Sequence, residues 1–142
     1  MAGARPRAAH PGISEPRLGV DATGASRAGD GWEVRWRVVN TGERPVQLLA
    51  AVLPHAGFRA AERTLDVGLG PGATSDLSLA VSFRAAPGDV VEKPFLILSV
   101  ETDGERWRVL ARLRIGAGQN GEPRPETRLI TTQRVGFSTE AV

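Results

Sequence analysis

Four arginines spaced two, four and two residues apart, in the C-terminal third of the chain, form the most distinctive chemical pattern in the sequence. They are Arg106, Arg108, Arg112 and Arg114, and Leu110 separates the two pairs. In a β-strand, residues two apart share a face, so the four guanidinium groups would line ~25–30 Å of one strand. Such a row can bind a row of phosphates or carboxylates, since guanidinium groups form charge-assisted, bidentate hydrogen bonds with both.

Two interpretations of this arginine stripe stay open. It is either a polyanion-binding ladder or an ordinary strand face, where arginine stems cover the sheet and their charged ends stay solvated or pair with Glu101 and Glu105. Arg35 and Arg37 form a smaller stripe, which the usual order of strands in a sandwich places on the opposite sheet.

Apolar residues accompany the stripe on the preceding strand. Phe95 and Ile97 alternate with Leu96, Leu98 and Val100, so if the second set faces the core, the first points outward beside the arginines. Exposed apolar groups there would mark a contact surface for a protein partner, for self-association or for the C-terminal segment of the chain. The candidate interaction face therefore comprises Phe95, Ile97, Arg106, Arg108, Leu110, Arg112 and Arg114.

Residues that could support catalysis or bind a metal are few. The chain has no cysteine and only two histidines, His10 and His55, so thiolate chemistry and most metal sites are excluded. The acidic residues are scattered near turns and on outward strand positions, without a pair on an apolar wall that could raise one pKa. Gly68, Gly70 and Gly72 lack the Lys-Ser/Thr of a phosphate loop and indicate a β turn. We expect no enzymatic activity, no cofactor and no metal.

The elements that must position the candidate face show the period of two that is typical of half-buried strands. Asp103-Gly104, between two such runs, predicts a type I′ hairpin. Turn signals recur every eight to twelve residues and helical periodicity is absent, so we predict an all-β fold, an immunoglobulin-like antiparallel β-sandwich of about seven strands. The inward positions are Trp32, Val34, Trp36, Val38, Leu77, Leu79, Val81, Phe83, Trp107, Val109, Ala111, Leu113 and Ile115.

The rest of the chain divides around this sandwich. Within it, residues 25–31 are predicted to be a turn region and residues 55–63 to be irregular. Residues 127–137 have moderate β character and either add an edge strand or cross to a partner. The predicted organisation is a flexible arm over residues 1–15, the sandwich over residues 16–116, and a Gly/Pro linker with a C-terminal segment over residues 117–142.

Two turn motifs resemble a known family. Val38-Val-Asn40-Thr-Gly42 is followed by Leu69-Gly-Pro71-Gly72-Ala-Thr74, and together they resemble bacterial immunoglobulin-like modules of the CARDB type over about residues 32–115. The resemblance implies the fold and a structural role in a bacterial cell-surface or envelope assembly. The preference for Arg over Lys, with much Ala and Gly, also suggests a GC-rich bacterial genome.

Charge and hydropathy limit the partners and the compartment. The net charge is only +2, and the pI of about 10.3 reflects the lack of Tyr and Cys rather than abundant positive charge. No apolar run reaches the ~20 residues needed to span a bilayer, so membrane insertion is not expected. The N-terminus does not resemble a signal peptide, which predicts a cytoplasmic protein if Met1 is the natural start and a cell-surface protein if a signal peptide was trimmed.

These observations favour a non-catalytic protein-binding module that acts through the candidate face. Two alternatives remain open at this point: a structural unit of an envelope assembly, and a small inhibitor or accessory subunit that acts through loops such as residues 55–61. The identity of the partner would separate them.

Overall fold

A computed structural model describes residues 15–136 of the chain, so the greater part of the predicted N-terminal arm, with His10, and the end of the C-terminal segment lie outside the described residues. Within this range the chain forms eight strands and no helix. They are β1 (Leu18–Ala28), β2 (Gly31–Asn40), β3 (Val46–His55), β4 (Phe58–Leu69), β5 (Thr74–Val81), β6 (Val90–Thr102), β7 (Glu105–Ala117) and β8 (Pro123–Arg134).

The strands form two antiparallel sheets, which confirms the predicted all-β sandwich. One sheet has three strands in the order β1-β2-β5, and the other has five in the order β4-β3-β6-β7-β8. The chain crosses from sheet to sheet through residues 41–45, 70–73 and 82–89. The strand count exceeds the prediction by one because residues 123–134 pair with β7 along their length.

The core lies between the sheets and is built from the inward half of each alternating strand. Trp36, Val34 and Val38 are fully buried on β2, and Leu96 and Leu98 are fully buried on β6. Period-two alternation dictates this pattern, because a strand sends successive side chains to opposite faces. The predicted inward positions of Trp32, Trp36 and Trp107 are confirmed by exposures of 7%, 0% and 5%.

Contacts at both sides hold the two sheets together. On one side Arg59 of β4 and Ser82, just after β5, exchange backbone hydrogen bonds of 3.1 and 2.7 Å. On the other side the hydroxyl of Thr127 in β8 donates to the carbonyl of Val20 in β1, at 2.7 Å. The eighth strand is therefore part of the packed sandwich.

The two motifs that carry the family resemblance meet at a buried asparagine. The Nδ2 atom of Asn40 donates to the carbonyls of Arg44 and Leu69, at 2.8 and 3.0 Å, and its Oδ1 atom accepts from Gly42 N–H at 2.9 Å. Its backbone accepts a further bond from Gly72 N–H. Asn40 has no solvent exposure, so this side chain satisfies the backbone of two turns at once.

Turn chemistry sets the hairpin between β6 and β7. Asp103 and Gly104 have φ values of +53° and +77°, as the predicted type I′ turn requires. This turn joins two strands of 13 residues each, which pair from the turn out to Val90 opposite Gly116.

Two segments differ from the prediction. Residues 25–28 continue β1 rather than forming a turn, because they pair with the start of β2 around a tight turn in which Gly29 has a φ of +57°. Most of the segment predicted to be irregular, residues 55–63, belongs to β4. That strand lies at the edge of its sheet and exposes most of its side chains, so its sequence lacks the apolar alternation of a half-buried strand.

Candidate interaction face

The solvent side of the five-stranded sheet brings together every residue predicted for the candidate face. Phe95 and Ile97 lie on β6 and are half-buried, between fully buried neighbours. The four arginines and Leu110 point the same way from β7, since Trp107, Val109, Ala111, Leu113 and Ile115 fill its inward positions. We call this surface the outer face and include in it two further residues, Val52 of β3 and Leu129 of β8.

Strand register arranges the apolar residues of the outer face in two adjacent rows. In the first row Val52 lies opposite Ile97, and Ile97 lies opposite Leu110. In the second row Phe95 and Leu129 flank Arg112 on its two neighbouring strands. Paired side chains on adjacent antiparallel strands lie ~4.5–5.5 Å apart, so Val52, Ile97 and Leu110 form a continuous apolar row. In the next row Arg112 separates Phe95 from Leu129.

The four arginines of β7 have different surroundings. Arg114 pairs with Glu92 at 3.5 Å, and Arg106 lies opposite Glu101 in the register. Arg108 lies opposite the neutral side chains of Ser99 and Gln133. Across residues 15–136, the side chains of Arg106, Arg108 and Arg112 form no hydrogen bond or ion pair.

The structure gives Glu105, one of the two possible acidic partners of the stripe, a different partner. Its carboxylate accepts a hydrogen bond of 2.7 Å from Arg134 of β8. The guanidinium of Arg134 also lies 5.8 Å from the ring centre of Trp107. Glu105 begins β7 beside the end of β8, so its nearest cation belongs to the neighbouring strand.

The smaller arginine stripe lies on the three-stranded sheet, as predicted. Arg37 pairs with Asp76 on the adjacent strand at 3.1 Å, and Arg35 donates to the hydroxyl of Ser26 at 2.8 Å. These partners come from neighbouring strands of the same sheet, so Arg35 and Arg37 form a surface separate from the outer face.

Sequence reasoning missed Leu129, which is 51% exposed and is one of the most exposed large apolar residues among those described. Its strand had no assigned register, so the direction of its side chain could not be predicted. The local backbone was missed as well. A bulge between Glu92 and Phe95 gives Lys93 a φ of +87°, a conformation that non-glycine residues seldom adopt, directly before the apolar patch.

His55 and Glu122 each accept hydrogen bonds within a turn. The Nδ1 atom of His55 accepts the backbone N–H of Gly57 at 2.9 Å, which closes the turn between β3 and β4. Hydrogen bonds from its own backbone, from Arg124 and from the Asn120 backbone lower the pKa of the Glu122 carboxyl, in the turn before β8. No group of three or more His, Asp or Glu side chains in residues 15–136 could hold a metal ion.

Among the described residues, two shallow grooves lie at the ends of the sandwich, and the first borders the outer face through Glu101, which lies opposite Arg106. One, of about 330 Å³, lies beside the Asn40 turns and includes Val46, Gly68 and Thr102 in its lining. The other, of about 460 Å³, lies over the buried rings of Trp32 and Phe83. Neither brings a histidine beside a nucleophile in the described part of the chain, so neither has the geometry of an acyl-transfer site.

Comparison with known proteins gave no relatives: no protein-family model matches the chain, and no curated protein matches it. In the described range, the structure contains no helix of the length and apolarity needed to cross a bilayer.

Proposed function

We propose that this protein is a non-catalytic interaction module that binds another protein through the outer face of its five-stranded sheet. The observation that carries the proposal is the row of outward apolar side chains in which Ile97 lies opposite Leu110. Arg108 and Arg112 lie on either side of Leu110, and their side chains have no partner among the described residues. Aromatic residues and arginine are the types enriched at protein interfaces, and both are present here.

The energetics favour a covered patch. Ile97, Leu110 and Phe95 are only partly buried in the isolated chain, so a partner would remove their remaining apolar surface from water. Each Å² of apolar surface removed contributes roughly 25 cal/mol. A sheet face that is only solvated carries polar residues at such positions, because polar side chains hydrogen-bond to water.

The arrangement of the strands supports an immunoglobulin-like interaction module. Strands β1, β2 and β5 correspond in order to the A, B and E strands of such domains, and β3, β6 and β7 correspond to C, F and G, with β4 adjoining β3. The meeting of the two turn motifs around Asn40 is consistent with the resemblance to CARDB-type modules. Fold similarity alone does not assign a function, so the proposal rests on the outer face.

The test is capture of partners from a native lysate on the immobilised protein, followed by mass spectrometry. Leu110→Ser removes the central apolar group of the outer face. Val39→Ser is the matched control, since Val39 is a half-buried outward residue on the opposite sheet. We expect one or more proteins that the wild type and Val39→Ser retain and that Leu110→Ser loses. Equal recovery with both variants, both folded by circular dichroism, would rule out the outer face as the contact surface.

A further inference from the structure

We infer that the partner presents an acidic and apolar surface, in which carboxylates lie on both sides of an apolar group that contacts Leu110. This inference rests on the proposed function and specifies the chemistry of the partner. It starts from the different surroundings of the four stripe arginines.

Arg108 and Arg112 are the two stripe arginines whose neighbours across the sheet are neutral. Ser99 and Gln133 lie opposite Arg108, and Phe95 and Leu129 lie opposite Arg112. The outer pair differs, since Arg106 lies opposite Glu101, and Arg114 lies opposite both Glu92 and Glu126. The centre of the outer face therefore carries uncompensated positive charge, and its carboxylates lie at the margins.

The spacing along the strand fixes the distance between the two central charges. Arg108 and Arg112 are four residues apart on one strand, a separation of ~13 Å between their Cα atoms, with Leu110 midway. A complementary surface therefore carries two carboxylates separated by a comparable distance and an apolar side chain between them. Each guanidinium can hold a carboxylate with two parallel hydrogen bonds, and nearby apolar groups strengthen these bonds by excluding water.

A second copy of the chain does not fit this surface through the same face. A two-fold interface centred on Leu110 would place Arg108 and Arg112 of one copy near the same arginines of the other. No carboxylate lies directly opposite either residue within the sheet to relieve that repulsion.

Nucleic acid fits less well than an acidic protein. A polyanion site pairs positive groups with phosphates or stacks bases on aromatic rings. Here the row through the centre holds the aliphatic residues Val52, Ile97 and Leu110, which can do neither. These residues match the apolar side chains of a protein partner instead.

The test is selection of a random peptide library displayed on phage against the folded wild-type protein. Affinities of the selected peptides, made synthetically, are measured by calorimetry. We expect peptides with Asp or Glu on both sides of an apolar residue, and affinity about ten-fold lower for each of Arg108→Gln and Arg112→Gln, or ~1.4 kcal/mol per arginine. The matched control is Arg35→Gln/Arg37→Gln on the opposite sheet, which should leave the affinity unchanged.

Other outcomes separate this inference from the proposed function. Peptides without acidic residues, whose binding Leu110→Ser abolishes and the arginine variants do not, would overturn the acidic partner while leaving the contact face intact. Peptides insensitive to all of these variants would count against both. If no peptide is selected and a fluorescein-labelled oligothymidylate binds in an arginine-dependent way, the inference is overturned in favour of nucleic acid.

Discussion

Replacing Asn40 by alanine removes the side chain that joins two turns at one end of the sandwich. Asn40 has no solvent exposure and makes three side-chain hydrogen bonds, to the carbonyls of Arg44 and Leu69 and from the N–H of Gly42. A typical hydrogen bond contributes about 0.5–1.5 kcal/mol, and partners left buried without a replacement increase the loss. We therefore expect Asn40→Ala to lower the free energy of unfolding by about 2–4 kcal/mol.

Urea unfolding followed by tryptophan fluorescence measures this loss, because Trp36 and Trp107 are buried. With an m-value of about 2 kcal/mol/M, the middle of the usual range in urea, the midpoint should fall by roughly 1–2 M. Gln47→Ala is the control: its side chain donates to Asp66 at an exposed site, so its effect should stay within about 0.5 kcal/mol. A loss below about 1 kcal/mol for Asn40→Ala, with an unchanged m-value, would refute the central role of this side chain.

Two further predictions concern the core and the bulge. Trp36→Ala should cost about 3–5 kcal/mol, since it empties a large aromatic site in contact with Phe58; a cost under about 1 kcal/mol would mean that β2 faces the other way. Trp36→Phe should cost less, because the buried indole Nε1 atom has no hydrogen-bond partner among the described residues, and thermal unfolding compares the two variants. Lys93→Gly should raise the free energy of unfolding by about 0.5–1 kcal/mol, since the positive φ strains a lysine but suits glycine. The control, Lys93→Ala, should give no gain. Equal stability of the two variants in thermal unfolding would show that the bulge stores no such strain.

The local pattern of the sequence was enough to predict the class of fold and the direction of the main strands. Trp36 had to point inward because alternation with polar residues leaves its strand only one face to bury. The Asp103-Gly104 turn was equally predictable, since few other dipeptides accept positive φ at both positions. The same alternation separated Phe95 and Ile97 from Leu96 and Leu98, and the burial of the second pair in the structure places the first on the solvent side with the arginine stripe.

Tertiary structure decided what lies beside each residue. Alternation places Arg108 and Arg114 on the same face, but only the register shows that Arg114 meets Glu92 while Arg108 meets neutral side chains. Register comes from bulges and from contacts distant in sequence, and a one-residue slip would change every neighbour across the sheet. Edge strands were predicted only in part for a related reason. Strands β4 and β8 bury too little of their surface for periodicity to reveal their full length, and their pairing with the neighbouring strand fixes their place.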